Sequence, residues 1–426
     1  MEAFWTIAGV LGFIAALLTI YGFVRWRKAV TPKELDKALD EQGLQILEGV
    51  QEVFNHYYGI APGPARQLVV TSDEERLRIL ALATKAQREH RYAEAVEILQ
   101  SCLRPGLPAE ERAALHNLIG NSYMYMGQPG QAEPEYGEVL TAAHEIGDDP
   151  ARGTALGNLG NVYAQRGDLD KAEQHYKAAL VIHEHVGDSL GRANQLCGLG
   201  LVYGERGQLD RAQEHYNKAL AAYRQIGNRL GEALALGNLG IVYADVGQLH
   251  KAEEHHREAL DIDRQIGDRL GEANALGNLG NVYARRGELD RAEEHHRQAL
   301  AIVRQLGNRL GQAQDLHNLG IVYAGRGDLE KAQEHYDKAL VINEDIGNRL
   351  GQAQDLHNLG LLAEERGDPD KARSLLNQAK ALYEAIGAGG EAPAIVAAAL
   401  QRLEPPEAAS TPEPKRPRKK PPPQKP

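Results

Sequence analysis

The chain has 426 residues, a formal net charge of −11 and only two cysteines, Cys102 and Cys197. Two cysteines so far apart argue against the disulfide framework of a small secreted protein and suit a reducing compartment. Residues 1–33 and 404–426 each carry a charge of +3, so the residues between them carry −17. Because contacts with phosphates need a basic surface, this acidic body argues against nucleic acid as a partner.

Residues 4–24 contain no charged side chain, and Trp5 and Trp26 lie near the two ends of this stretch. As a helix it would extend about 31 Å, which matches the hydrocarbon thickness of a bilayer. The cations that follow it directly are Arg25, Arg27 and Lys28. We therefore predict a single-pass transmembrane helix at 4–24, with the rest of the chain in the cytoplasm. A cleaved signal peptide is the alternative, but a basic n-region and an A-x-A-like exit are missing from the sequence.

Two further features precede the main body of the chain. Ala8, Gly12 and Ala16 form a small-xxx-small stripe, which favours the close approach of two membrane helices. Thr31 to Glu34 form a capping box that predicts a juxtamembrane helix at 31–58, followed by a linker at 59–71 that is rich in proline and glycine.

Internal repetition dominates the sequence from residue 72 onward, and it is the main signal for the fold. One glycine, usually in the motif NLG, recurs every forty residues, at Gly160, Gly200, Gly240, Gly280, Gly320 and Gly360. A second glycine has the same spacing, at Gly167, Gly207, Gly247, Gly287, Gly327 and Gly367, with Gly127 before it. The fold of the body therefore follows from one unit, for which we take residues 271–310.

The first half of this unit predicts a helix, helix A, that Gly287 ends. The residues on its inner face, at spacings i, i+3, i+4 and i+7, are Leu276, Leu279, Gly280 and Tyr283. Arg285 and Arg286 lie in the last turn, where cations complement the negative end of the helix dipole.

The second half predicts a helix B, with Asp290 as N-cap, Glu293 completing a capping box and Gly307 ending the helix. The residues predicted on the inner face of helix B are Ala292, His296, Ala299, Leu300 and Leu306. The small residues Gly280, Ala292 and Ala299 would let the two helices cross closely.

This pattern of Leu, Gly, Tyr, Ala, aromatic and Ala resembles the tetratricopeptide repeat (TPR) over residues 74–388. The usual unit has 34 residues, and the longer form here is similar to the repeats of kinesin light chains, Pins-type polarity scaffolds and bacterial arrays. The resemblance implies an all-α, right-handed solenoid of about eight helix pairs at 72–390, with a capping helix at 391–403. It implies an interaction surface and leaves the partner open.

The remaining residues, 404–426, are rich in proline and basic side chains, which predicts a disordered tail. The basic cluster could bind anionic lipid, Pro414 to Pro417 could be a PxxP ligand, or the tail could be a spacer.

No sequence motif for catalysis, a cofactor or a metal is present, so we predict a non-enzymatic protein without cofactors. Histidines recur once per repeat, at His175, His215, His255, His295 and His335. A metal site needs several ligands within about 2 Å of one ion, and one histidine per repeat cannot provide them. We interpret these histidines, together with His256 and His296, as core and surface residues.

By the resemblance, helix A side chains near the NLG glycine line a concave groove. The asparagines at these positions are Asn121, Asn158, Asn161, Asn238, Asn278, Asn281, Asn318 and Asn358, and Gly198 interrupts the row. Polar residues predicted at the rim are Thr154, Asn194, Asn274, Gln314 and Gln354. A row of amides can donate to and accept from an extended peptide backbone without reading its sequence. Alternatively, the asparagines brace neighbouring helices.

Chaperone-binding TPRs place basic residues in this groove to hold a carboxylate, and repeats three to eight have none at the matching positions. The sequence thus predicts a membrane-anchored scaffold that binds a protein or peptide segment in its concave groove. The alternative is a structural membrane protein that self-assembles into homo-oligomers.

Overall fold

The computed structural model describes residues 82–87, 91–388 and 391–403. The predicted transmembrane helix, juxtamembrane helix, linker and basic tail lie outside these residues. Residues 82–87 are helical, and sixteen further helices follow: α1 Tyr92–Cys102, α2 Ala109–Tyr125, α3 Pro129–Ile146, α4 Asp149–Gln165, α5 Leu169–Val186, α6 Ser189–Glu205, α7 Leu209–Ile226, α8 Arg229–Asp245, α9 Leu249–Ile266, α10 Arg269–Arg285, α11 Leu289–Gln305, α12 Arg309–Gly325, α13 Leu329–Asp345, α14 Arg349–Glu365, α15 Pro369–Ala385 and α16 Glu391–Arg402.

These helices confirm the predicted all-α array of helix pairs, and no strand occurs among the described residues. From α2 onward, even-numbered helices up to α14 correspond to helix A and odd-numbered ones to helix B. The array forms two compact units that divide between Ile302 and Val303, within α11. Within each unit, a helix A packs against the helix B that follows it and the helix B that precedes it. None of the described helices is both long and apolar enough to span a bilayer.

A left-handed glycine makes each turn from helix A to helix B, as the spacing of the second glycine series predicts. Gly287 has a φ of +76°, a conformation that only glycine adopts without strain. The Glu288 N–H then donates to the Tyr283 carbonyl at 2.9 Å, which satisfies the end of α10. The forty-residue period therefore consists of two helices of 17 or 18 residues and two short turns.

Two details of the predicted helix B are wrong. Helix α11 begins at Leu289, so Asp290 lies in its first turn and Glu288 stands in the N-cap position. The tight glycine turn reverses the chain within one residue, and this allows the helix to begin two residues earlier than predicted. Leu306 is 46 % exposed because α11 ends at Gln305 and the side chain falls in the following turn.

The small residues at the helix crossings have the predicted role. A Cβ atom on Gly280 would lie 2.6 Å from Nε2 of His296, and one on Gly200 would lie 2.7 Å from the ring of Tyr216. In both pairs helix A thus lies directly against a ring of its own helix B. Ala292 and Ala299 of α11 are buried, as are His296 and Leu300.

Helix α16 packs against α14 and α15 and covers their apolar side chains with Val396 and Ala399, both fully buried. Its last residue, Arg402, pairs with Glu364 of α14 at 2.9 Å. The helix therefore covers the last helix pair of the second unit.

Candidate functional site

Hydrogen bonds between successive A helices show how these helices are held side by side. Asn158 donates to the Asn117 side chain at 3.0 Å, and Asn238 contacts Sγ of Cys197 at 3.7 Å. In the second unit, Asn358 contacts Nε2 of His317 at 3.3 Å. Each contact joins residues 41 positions apart, so these three asparagines brace the preceding helix A.

Two other asparagines of the predicted row bind tyrosines of helix B. The Tyr136 hydroxyl donates to Asn121, and the Tyr176 hydroxyl donates to Asn161, both at 2.7 Å. At the predicted rim, the Tyr223 hydroxyl donates to Asn194 at the same distance. These amides hold core rings in place.

The amides of Asn278 and Asn281 make no hydrogen bond with any described residue. Asn278 is equivalent to Asn158, so the side chain it would contact belongs to the residue 41 positions earlier. That residue is Gly237 of α8, which has no side chain to accept a hydrogen bond. Space is open there, because a Cβ on Gly237 would meet nothing within 4 Å. Asn281 is exposed, and in its repeat His296 replaces the tyrosine that binds Asn161 in α4. In the second unit, Asn318 also makes no hydrogen bond within the described range.

At Gly198, where the row is interrupted, the helix packs directly against a tyrosine ring. The ring of Tyr176 lies between two A helices, and a Cβ on Gly160 or Gly198 would come within 2.6 or 2.7 Å of it. Tyr176 is only 1 % exposed. A side chain at position 198 would therefore require the ring to shift from this position.

We call the surface around the two available amides the central face. It is formed by α8 and α10, and its residues are Gly237, Asn238, Ile241, Asp245, Asn278, Asn281 and Arg285. Ile241 is 44 % exposed, and Arg285 lies 3.8 Å from Asp245, which shows that equivalent positions of α8 and α10 are neighbours. The face therefore combines free amides, an exposed aliphatic side chain and one weak ion pair.

Two buried ionisable groups lie beneath this part of the array, in α9. Burial lowers the pKa of His256 to about 4, and the nearby His255 adds to the effect. Burial also raises the pKa of Asp263 to about 8, with smaller contributions from Asp268 and Glu272. Both groups are therefore uncharged near neutral pH, as expected for side chains in an apolar helix interface.

The recurring histidines belong to surface stacks rather than to one cluster. His175 lies 4.9 Å from the ring of Tyr163, and its Nδ1 binds the Lys171 carbonyl at 2.8 Å. The same stack recurs at His215, His255, His295 and, in the second unit, His335. No group of three potential metal ligands occurs among the described residues.

The sequence interpretation missed a Glu–Tyr–Arg cluster that joins several B helices to the next helix A. In one case the Tyr203 hydroxyl donates to Glu173 at 2.8 Å, and Arg206 pairs with the same carboxylate. The corresponding residues of the next such cluster in the first unit are Glu253, Tyr283 and Arg286. The sequence signal was the arginine before the second glycine, which we attributed only to the helix dipole.

Comparisons with known proteins agree with this architecture. The tetratricopeptide repeat family model matches six overlapping segments, at 111–185, 152–225, 191–265, 231–305, 271–345 and 312–385. No curated protein matches the chain. Together the six family-model segments cover residues 111–385, which is more than half of the chain.

Solved structures with a similar fold include a quorum sensor and a Rap protein. The apo form of the quorum sensor NprR from B. thuringiensis is 14% identical with a TM-score of 0.60, and the match covers 82% of this chain and 99% of that one. A Rap protein complexed with Competence and Sporulation Factor is 18% identical with a TM-score of 0.53, over 78% of this chain and 98% of that one. At these identities the likeness shows the fold alone. The repeated sequence, the helix pairs and the family match together show that the chain belongs to the tetratricopeptide repeat family.

Proposed function

We propose that the protein is a membrane-anchored, non-enzymatic scaffold that binds an extended segment of a partner protein on the central face. The observation that carries the proposal is the pair of amides, Asn278 and Asn281, that have no partner among the described residues. Each offers a donor and an acceptor, which is the complement of a peptide backbone. Ile241 supplies an apolar contact beside them.

The comparisons and the composition of the central face support this proposal. Arrays of the same family are interaction modules, and the Rap structure of similar fold is a complex with Competence and Sporulation Factor. The central face is nearly uncharged apart from the pair Asp245–Arg285. The preferred ligand is therefore an extended segment bound mainly through its backbone, with one apolar side chain against Ile241.

Replacing both Asn278 and Asn281 with alanine should lower affinity for the partner about tenfold to a hundredfold, because each amide contributes roughly 1 kcal/mol of hydrogen bonding. The full-length chain, extracted in detergent, would be used to capture partners from its native membranes and cytosol. Recovery would then be measured for the wild type and the variant.

The matched control is the double change Asn217→Ala and Gln225→Ala, which removes two exposed amides from the helix B α7. It should recover the partner as well as the wild type does. Equal recovery by the Asn278 and Asn281 variant, with unchanged helicity and thermal midpoint, would exclude the central face as the binding surface.

The membrane anchor rests on residues 4–24 and the cations after them, which favour a cytoplasmic location for the repeats. Protease added to intact cells or spheroplasts should therefore spare the repeats until the membrane is disrupted. Changing Arg25, Arg27 and Lys28 to glutamate, with lysines added at the N-terminus, should invert part of the population. Digestion of the wild-type repeats in intact cells would refute this orientation.

A self-assembling role predicts homo-oligomers of the detergent-extracted chain, and a monomer in light scattering would exclude it.

A further inference from the structure

The junction of α7 with α8 departs from the pattern of the Glu–Tyr–Arg clusters. The arginine before the second glycine stands at 166, 206, 286, 326 and 366, but position 246 is valine and position 126 is methionine. Val246 caps the end of α8 and is 40 % exposed. The junction of α7 with α8 therefore lacks the arginine that most other junctions have at this position.

The neighbouring junction in the same unit shows where that arginine would bind. Arg206 pairs with Glu173 and with Asp170, both on α5. The residues forty positions later are Gln213 and Asp210 on α7. In the second unit, Arg366 donates to the side-chain oxygen of Gln333, so a glutamine at this position also accepts a guanidinium.

At the α7–α8 junction these groups have no hydrogen-bonding partner. The side chains of Asp210, Gln213 and Tyr243 make no hydrogen bond or ion pair among the described residues, whereas the hydroxyl equivalent to that of Tyr243 is bonded in Tyr163, Tyr203 and Tyr283. An open depression lies here, and its lining residues are Gly207, Gln208, Leu209, Asp210, Arg211 and Val246. Space and unpaired acceptors thus occur at the place that an arginine occupies elsewhere.

We propose that this depression, the arginine site, binds the guanidinium of an arginine side chain on a partner protein. The planar guanidinium donates in a fork, and here it would reach the Asp210 carboxylate and the Gln213 oxygen together. Val246 would cover one side of the alkyl stem of the bound arginine. The site is separate from the central face and does not depend on the function proposed for it.

Arg211 is the one cation in the lining, and it does not block the site. Its guanidinium bonds Gln208 at 3.1 Å and lies 5.5 Å from the centre of the Tyr203 ring. Lys171 occupies the equivalent position at the preceding junction, over Tyr163, and Arg206 still pairs with Asp170 there. A second guanidinium can therefore bind Asp210 beside Arg211.

The affinity of the site for a guanidinium can be tested by placing an arginine of this chain in it. In the full-length chain, Val246→Arg should raise the thermal midpoint by about 2 °C, because the new side chain pairs with Asp210 and Gln213. Val246→Lys should raise it less, since an ammonium group lacks the fork. No rise with Val246→Arg would show that the depression does not accept a guanidinium and would overturn the proposal.

Binding in trans can be tested with immobilised arginine as the probe. The wild-type chain should elute from it at higher salt than Val246→Arg, whose own side chain fills the site. Ile146→Arg is the matched control, because it adds the same charge at a half-exposed apolar position of the same unit. Gln213→Glu should elute later than Gln128→Glu, which adds a carboxylate elsewhere. Equal elution of Val246→Arg and Ile146→Arg, together with equal elution of Gln213→Glu and Gln128→Glu, would overturn the proposal. Asn278→Ala should leave the elution unchanged.

Discussion

Gly198→Ala should destabilise the protein by about 1–3 kcal/mol, the usual cost of forcing an extra carbon into a packed core. The new Cβ would lie 2.7 Å from the ring of Tyr176. Movement of that ring is restricted, because Gly160 lies against it and Asn161 accepts a hydrogen bond from its hydroxyl at 2.7 Å. The loss should exceed the gain in helix propensity, which is up to about 1 kcal/mol for glycine to alanine.

Gly237→Ala is the matched control, since it makes the same change in α8 where no atom lies within 4 Å. It should stabilise the protein slightly. Thermal unfolding of both full-length variants would give the comparison. Equal midpoints would contradict the close packing of the Tyr176 ring against Gly198.

Asp263 should make the protein less stable as the pH rises from about 4 to about 8. Its pKa is raised from 3.8 to about 8 in the folded chain, mainly by burial. Between these values the folded state keeps the proton and the unfolded state loses it. The free energy of unfolding should therefore fall by up to about 1.4 kcal/mol per pH unit across this window and level off above it.

Asp263→Asn removes this titration without changing the size of the side chain. The chain itself has an asparagine at the equivalent position of the second unit, Asn343, where it is 3 % exposed. Urea unfolding of wild type and variant should give midpoints that agree near pH 4 and separate progressively up to pH 8, with the variant more stable. Midpoints that stay parallel over this range would show that the Asp263 carboxyl has an ordinary pKa.

The repeat architecture could be predicted from the sequence because its determinants are local. The turn at Gly287 needs a left-handed residue, and the inner face of α10 follows from helical spacing alone. The errors at Asp290 and Leu306 are errors of helix ends. Those ends depend on how tightly the glycine turn reverses the chain, and the hydrophobic period does not encode this.

The candidate site was only partly predictable. Position in the repeat identified the asparagines of the row, but it could not separate those that brace a helix from those with free amides. Asn158 and Asn278 occupy equivalent positions, yet the residue 41 positions earlier is Asn117 for the first, which binds it, and Gly237 for the second, which has no side chain. The difference lies in a residue 41 positions away.

The sequence by itself therefore determined the family, the helix pairs and the register, because these follow from residues within one forty-residue unit. Only the tertiary structure decided which amides and acceptors are available. Hydrogen bonds such as Asn238 to Cys197 and ion pairs such as Arg206 to Glu173 join different repeats. A polar side chain is free for a partner only when the neighbouring helix leaves it unpaired, as at Asn278 beside Gly237 and at Asp210 near Val246.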